Sequence, residues 1–159
     1  MSYFVWKLLH IAAVILFLGN ITTGLFWAAH ANKTRDFAVI ALTFDGIIRS
    51  DRWFTIPGVI GIIVAGVATA VKANLPILGT GWILWSIVLL SISGIVFGIW
   101  VAPLQRELLK LAQTAKSSGL TWETYESTYG KWGLWGLVAL LAPVLALILM
   151  VLKPALPGL

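Results

Sequence analysis

Three side chains within long apolar runs have the chemistry to hold a cofactor. His10 is the one ionisable side chain well inside the first run, and Asn20 follows it at helical spacing. Imidazole is a common axial ligand of haem, and a His/Met pair is known haem ligation, so Met150 is the candidate second ligand. The His10 of a second copy of the chain, across a dimer, is another candidate for the second haem ligand. Asn20 either fixes the helix register or contacts the cofactor.

His10 has two other roles open to it. A histidine in hydrocarbon is costly and marks a functional site by default. It could instead be a neutral residue that is hydrogen-bonded to a neighbouring helix, which is the plainest interpretation. It could also relay protons, because its charge changes near physiological pH.

A second polar group lies just before the second apolar run and consists of Arg49, Asp51, Arg52 and Trp53. Asp51, or Ser50 beside it, is the type of residue that caps the free amides at a helix start. The arginines are placed to contact lipid phosphates or to pair with Asp51, because basic residues flank membrane spans. A more specific hypothesis is that these residues bind an anion, or a propionate group of a haem, at the cytoplasmic end of the bundle.

Composition sets the class of protein. Of the 159 residues, 60% are hydrophobic and 11% are charged, against about 25% charged in soluble domains. Four long uncharged runs predict an all-α bundle of four spanning helices, because about 20 apolar residues cross the hydrocarbon. The predicted spans cover about 4–29, 53–72, 81–102 and 132–152 of this single domain.

Several chemistries are excluded by what the chain lacks. It contains no cysteine, so disulfides, thiolate metal sites and cysteine nucleophiles are ruled out. The sequence shows no phosphate-binding glycine loop, no zinc-protease helix and no serine-hydrolase elbow. The four predicted spans contain no carboxylate, which argues against proton-coupled transport.

The basic residues predict the orientation. Lys7, Lys72 and Lys153 share one side, whereas eight basic residues lie in the segments 30–52 and 103–131. These segments are therefore expected in the cytoplasm and both termini in the periplasm or exterior of a bacterial inner membrane. The net charge of +5 indicates contact with anionic lipid headgroups. Nucleic acid is not an expected partner, because the basic residues are spread along membrane-flanking segments.

The two cytoplasmic segments contain amphipathic helices over 36–48 and 104–116. They would lie on the membrane surface or dock onto the partner spans. Pro57 and Pro103 are expected to disturb the helices near the span ends. An aromatic stripe at 3-4-3 spacing lies at the start of the last helix. Its expected role is packing, interfacial anchoring or ligand stacking. Its members are Trp122, Tyr125, Tyr129 and Trp132.

Small residues recur at helical spacing and predict close helix packing without a wide pore. The second span has Gly58, Gly61, Ala65 and Ala68, the third has Ser91, Gly94 and Gly98, and the fourth has Gly136, Ala139, Pro143 and Ala146.

Several motifs resemble a bacterial family of four-helix predicted integral membrane proteins, domain of unknown function 2269. They are Leu8-Leu9-His10-Ile11 with Gly19-Asn20, Ser50-Asp51-Arg52-Trp53-Phe54 with Pro57-Gly58, and Trp100-Val101-Ala102-Pro103-Leu104-Gln105. The Leu9-His10 pair is also distantly similar to membrane-bound protoporphyrinogen oxidases and copper-resistance D proteins. That similarity implies haem binding at His10. Those oxidases also use a basic residue in a later span, and the third span here has none.

Three functions follow as expectations. The first is a non-enzymatic subunit or scaffold that packs with itself or with a larger membrane complex, because the packing stripes are clear, the predicted spans lack carboxylates and no second ligand is certain. The second is a b-type haem or porphyrin-binding redox protein centred on His10, which would be an oxidoreductase if it is an enzyme at all. The third is a small-molecule transporter.

Overall fold

The described residues of a computed structural model, 1–118 and 121–159, form four long helical rods. Each is long and apolar enough to cross a membrane, which confirms the predicted all-α bundle. The helices are α1 (Tyr3–Thr34), α2 (Phe37–Ser50), α3 (Ile56–Lys72), α4 (Gly81–Val96), α5 (Ala102–Ser118) and α6 (Trp122–Leu152). Where the membrane begins and ends along these rods stays a prediction.

Two rods contain a π-helical turn, in which the backbone bond spans five residues. Asp51–Thr55 joins α2 to α3, and Phe97–Val101 joins α4 to α5. The Ile56 N–H donates to the Asp51 carbonyl in the first turn, and the Ala102 N–H donates to the Phe97 carbonyl in the second. Pro57 and Pro103 come directly afterwards. Because a proline has no N–H and crowds the preceding turn, each widens one turn, and the helix continues through it.

The second rod runs without interruption from α2 into α3, about 54 Å at 1.5 Å per residue. A helix start at Ser50 or Asp51 was expected, and this expectation is wrong. The rod begins after Asp36, whose Oδ1 accepts a hydrogen bond from the Ala38 backbone N at 2.8 Å. The charged residues that end the apolar run therefore lie within a helix that extends beyond this run.

The rod ends beyond the predicted spans pack into a helical head. The head comprises α2, α5, the last turns of α1 and the first turns of α6. Its core includes Ala28, Ala31, Ile40, Phe44, Ile47, Val101, Leu108, Ala112, Tyr125 and Trp132. The predicted amphipathic helices thus dock onto each other and onto α1 and α6. The side chain of Lys116, at the end of the second of these, lies outside the described part of the chain.

The aromatic stripe belongs to this core. Along α6 the ring centroids of Trp122, Tyr125, Tyr129 and Trp132 follow one another at 5.1, 6.1 and 5.8 Å. Phe44 of α2 meets the Trp132 ring edge-on at 5.1 Å. Packing within the head is therefore one role that the stripe fulfils.

In the spanning part, the rods form two antiparallel pairs, α1 with α3 and α4 with α6. α1 also contacts α6, whereas no contact between α3 and α4 occurs within the described ranges. The order around the bundle is therefore α3, α1, α6, α4, with the fourth side open. We call the gap between α3 and α4 the lateral opening.

Small residues allow the close contacts of the second and fourth spans. A Cβ on Gly58 would lie 3.1 Å from the Cβ of Phe17, and one on Gly136 would lie 3.0 Å from a side chain of α1. The third span differs from the prediction. For Gly94 and Gly98, no atom of a packed neighbour in the described chain lies within 4 Å of the Cβ position. These glycines face open space instead of a helix of the same chain.

Candidate functional site

A carboxylate lies inside the bundle. Asp51 is the first residue of its π turn and is 8% exposed, and Thr55, the last residue of the turn, is 4% exposed. Asp51 and Thr55 are four residues apart, so they share the inner face of the rod. Burial of such a group is costly unless hydrogen bonds compensate for the lost water.

Three neutral side chains supply those hydrogen bonds. Oδ1 of Asp51 accepts from Asn20 Nδ2 at 3.0 Å and from Thr55 Oγ1 at 2.8 Å. Oδ2 accepts from Gln105 Nε2 at 3.0 Å. Asn20 Nδ2 also lies 2.9 Å from Thr55 Oγ1. We call these four residues the polar centre, which links α1, the second rod and α5.

The polar centre holds an acid and no base. The nearby Arg49 pairs with Asp45, at 2.9 Å between Nε and Oδ2, and not with Asp51 as one prediction had it. No described basic side chain forms a salt bridge with Asp51. A lone charge in a low-dielectric interior is expensive, so the centre is suited to accept one positive charge.

A cavity of about 80 Å³ adjoins the polar centre. A water molecule occupies about 30 Å³ of liquid, so the cavity has room for a few waters, a small ion or a headgroup. All four residues of the polar centre line it. The apolar part of its wall includes Phe17, Ile21, Leu25, Val59, Leu90 and Phe97.

The head closes one end of the cavity. Ile47, Val101 and Trp132 belong both to the cavity wall and to the core of the head. The indole Nε1 of Trp132 is buried and has no hydrogen-bond partner among the described groups.

His10 lies outside the polar centre, on the same helix as Asn20 but about 15 Å away by the helical rise. Its Nδ1 is 3.0 Å from the carbonyl oxygen of Ile62 on α3. Gly66 makes room for it, because a Cβ there would lie 3.0 Å from the imidazole ring. His10 therefore makes the interhelical hydrogen bond that was one of its predicted roles. Met150 is half-buried near the end of α6, and its pairing with His10 stays a prediction.

The outer face at the level of Asp51 is basic and aromatic. Arg49, Arg52 and Trp53 are exposed, Trp53 by 74%. This is the placement that basic and aromatic residues take at a membrane interface. Lipid contact by these three stays a prediction, whereas Asp51 points the other way, into the bundle.

Sequence reasoning missed Thr55 and Gln105 and undervalued Asp51. It placed the start of the second span at 53, so it counted no carboxylate among the spans. Asp51 lies two residues before that predicted start and is nevertheless buried in the bundle, so the lack of carboxylates within the predicted spans does not argue against proton coupling here. The available signal was the spacing of Asp51 and Thr55, which share a face once the helix is continued through residue 50.

Comparison with known proteins identifies the family. No curated protein and no solved structure matches the chain. The family model of a predicted integral membrane protein matches residues 4–154, which is nearly the whole chain and includes the polar centre and His10. The protein therefore belongs to the DUF2269 family of predicted integral membrane proteins.

Proposed function

We propose that the protein is a membrane transporter that binds one positive charge, a proton or a monovalent cation, at Asp51. The observation that carries this proposal is a buried carboxylate held by neutral donors beside a cavity. Ionisable groups inside a membrane bundle mark ion or proton pathways by default. This places transport ahead of the scaffold role that the sequence favoured, because that preference rested partly on the supposed lack of carboxylates.

The charge of the ligand follows from the charge of the site. One carboxylate is neutralised by one positive charge, and a divalent ion would leave an excess charge buried. No cluster of three or more His, Cys, Asp or Glu side chains occurs in the described residues. The Asp51 carboxylate and the Thr55 hydroxyl supply oxygen atoms, which are the ligands that hard cations prefer, while the amide groups of Asn20 and Gln105 hold the carboxylate in place.

The helix geometry also supports a transport role. The Asp51–Thr55 turn supplies two members of the polar centre, and the Phe97–Val101 turn supplies part of the cavity wall. Single π turns within α-helices occur frequently at functional sites. In membranes, irregular backbone is tolerated where it lines a cavity, and the first and last residues of each turn line this one.

The proposed setting is a bacterial inner membrane with the head in the cytoplasm. Arg35, Arg49, Arg52, Arg106 and Lys110 lie on or next to the head, so anionic headgroups on that side would hold it at the surface. The polar centre would then lie near the cytoplasmic end of the spans. A homo-oligomer, or a place in a larger complex, is compatible with transport.

The test compares Asp51→Asn with Asp45→Asn, the same change at a more exposed carboxylate on the same rod. Each protein is placed in phosphatidylcholine nanodiscs, and thermal unfolding is followed with Na⁺, K⁺, alkylammonium ions and changing pH at constant ionic strength. A ligand of the folded state raises the melting temperature. We expect at least one of them to do so in the wild type and in Asp45→Asn, but not in Asp51→Asn. The ligand that binds should then cross proteoliposome membranes only when Asp51 is present.

If all three proteins respond alike to every cation and to pH, the transport proposal is wrong. The polar centre would then serve to hold the helices together. The non-enzymatic subunit or scaffold would become the better proposal, and co-purifying partners would be sought.

A haem- or porphyrin-binding function centred on His10 is a second candidate. A ligating histidine almost always makes a hydrogen bond through its other ring nitrogen, and the bond between His10 Nδ1 and Ile62 leaves Nε2 for a metal. Protein purified from a haem-sufficient host should then show a Soret band that His10→Ala removes. A colourless, stable wild type would reject this function.

A further inference from the structure

We infer that the positive charge arrives from within the bilayer, as the head of a lipophilic amine or ammonium compound. Such a molecule carries one charged nitrogen on an apolar tail. This inference rests on the proposed function, because it names the substrate class of the same Asp51 site. It follows from which sides of the cavity are closed, which side is open and what lines the walls.

The head closes the route from its own side. Between the cavity and that end of the molecule lies a core in which Ile40, Phe44, Leu108 and Tyr125 are each 0% exposed. Apolar interiors are packed as densely as organic crystals. A hydrated ion would have to pass through this packed core to reach Asp51.

The opposite end is covered by chain. The 73–80 loop joins α3 to α4 there, and the C-terminal segment is bonded to it through Leu159 N and Leu78 O at 2.9 Å. Trp85 Nε1 donates to the Pro157 carbonyl at 3.2 Å. Gly81 is packed so closely that the Leu156 carbonyl takes the place of a side chain. The loop thus joins the two helix pairs at this end, and the tail packs against the loop and α4.

The lateral opening is the side that remains. α3 and α4 make no contact over their described lengths. Gly94 lines the cavity and is also exposed, with free space where its Cβ would be. The exposed residues of α3 and α4 are mainly apolar, among them Ile60, Ile63 and Val67 on α3 and Val88 and Ile95 on α4. Ser91 shares the face of Gly94 and is exposed, but its hydroxyl donates to the Ile87 carbonyl within α4 at 2.8 Å. Such a gap would admit acyl chains and exclude hydrated ions.

The charge of Asp51 and the size of the cavity restrict which membrane-soluble molecules can bind. The single carboxylate would bind an ammonium group and would repel the phosphate of an anionic lipid. A cavity of about 80 Å³ holds a headgroup of a few heavy atoms, while the tail extends through the lateral opening into lipid. The ligand is therefore a small cationic head on an apolar chain and not a phospholipid.

The test compares methylammonium with decylammonium in phosphatidylcholine nanodiscs, with decanol as the neutral molecule of equal chain length. We expect decylammonium to raise the melting temperature at aqueous concentrations at least about tenfold lower than methylammonium, because its methylenes concentrate it in the bilayer. The effect should be present in Asp45→Asn and absent in Asp51→Asn. Decanol should change the melting temperature of the wild type and that of Asp51→Asn by the same amount.

Gly94→Phe tests the route itself, with Gly98→Phe as its control. Both glycines have free space at the Cβ position, so both variants should fold, but Gly94 alone of the two lines the cavity. We expect Gly94→Phe to weaken the decylammonium effect at least about tenfold, as expected for loss of a well-packed site. Gly98→Phe should keep the effect.

Other outcomes would overturn the inference. If Na⁺, K⁺ or protons stabilise the protein through Asp51 and decylammonium is no better than methylammonium, the transport proposal stands and the lipid route fails. If no cation acts through Asp51, both fail. If the wild type is a dimer and both glycine variants are monomers, a second copy occupies the lateral opening and the lipid route fails as well.

Discussion

At the scale of single residues, the chemistry of the polar centre depends on its donors being neutral. An arginine beside Asp51 would satisfy the carboxylate permanently and leave no attraction for another cation. Asn20, Thr55 and Gln105 orient the carboxylate and reduce the cost of burying it, while its charge remains uncompensated. Hydrogen bonds to a charged group contribute about 1.5–3 kcal/mol each, so these three side chains make a buried acid tolerable.

Gln105→Met should show how strongly one donor supports Asp51. Methionine keeps the chain length but removes the Nε2–H that donates to Oδ2. We expect the free energy of unfolding to fall by about 1–3 kcal/mol, because a buried charged acceptor loses a partner. Denaturation by SDS in mixed micelles, followed by tryptophan fluorescence, measures the change.

The same substitution in an Asp51→Asn background separates hydrogen bonding from packing. There the lost bond is between neutral groups, so Gln105→Met should cost less, with a coupling of about 0.5–3 kcal/mol. An equal loss in both backgrounds would show that Gln105 acts by filling space.

At the scale of elements, the π turns are single-residue insertions that change which face of a rod points inward. Each adds one residue to a turn, so the helix before it and the helix after it can both direct their apolar faces to the bundle. The turn itself carries lipid-facing residues on its outer side, such as Ile99, which is 59% exposed. The insertion therefore shapes the cavity wall while preserving the packing above and below.

Deleting Ile99 should remove the second π turn and leave a regular helix. The faces of α4 and α5 would keep their alignment, so the protein should stay folded with a modestly lower melting temperature. Deleting Ile92, an exposed residue in the regular part of α4, is the control. It turns the residues between the deletion and the π turn by about 100°, which moves Ser93 and Val96 out of the interior. Helical signal, melting temperature and elution volume would distinguish the two. Equal damage by both deletions would contradict this account of the turn.

Some features of the helices could be predicted from the sequence and others could not. Four uncharged runs were sufficient to predict four spans, because lipid contact demands apolar side chains all along a helix. The Gly58 and Gly136 contacts followed from small-residue spacing. The continuation of the second rod through Arg49 and Asp51 did not, because a charge ends an apolar run whether or not it ends a helix. The contact between Gln105 and Asp51 could not be predicted either, because no spacing pattern links a single polar residue of an amphipathic segment to its partner.

At the scale of the whole molecule, charge and packing are both concentrated at one end. The head carries most of the basic residues and much of the buried apolar core. α1, in contrast, has few buried residues along its length. The hydrophobic effect acts in water and not between helices in lipid. With the head in the cytoplasm, as proposed, we expect apolar burial to stabilise this protein most in the head.

Orientation can be tested directly, because the chain has no cysteine. A membrane-impermeant maleimide should label Ser2→Cys on intact cells and Glu123→Cys only after permeabilisation. Both positions are exposed, and the excess of basic residues in the segment that contains Glu123 predicts a cytoplasmic location for it. The reverse labelling pattern would put the head outside the cell.

The position of the head has a consequence for biogenesis. Tyr125 and Trp132 lie on α6, which leaves the ribosome after α1 to α5, and their rings complete the core of the head. Until α6 is made, the first three rods have no finished core to hold them, and Asp51 lies in a half-assembled interior accessible to water. Chains arrested before the fourth rod should therefore be recognised as incomplete by quality-control proteases of the membrane.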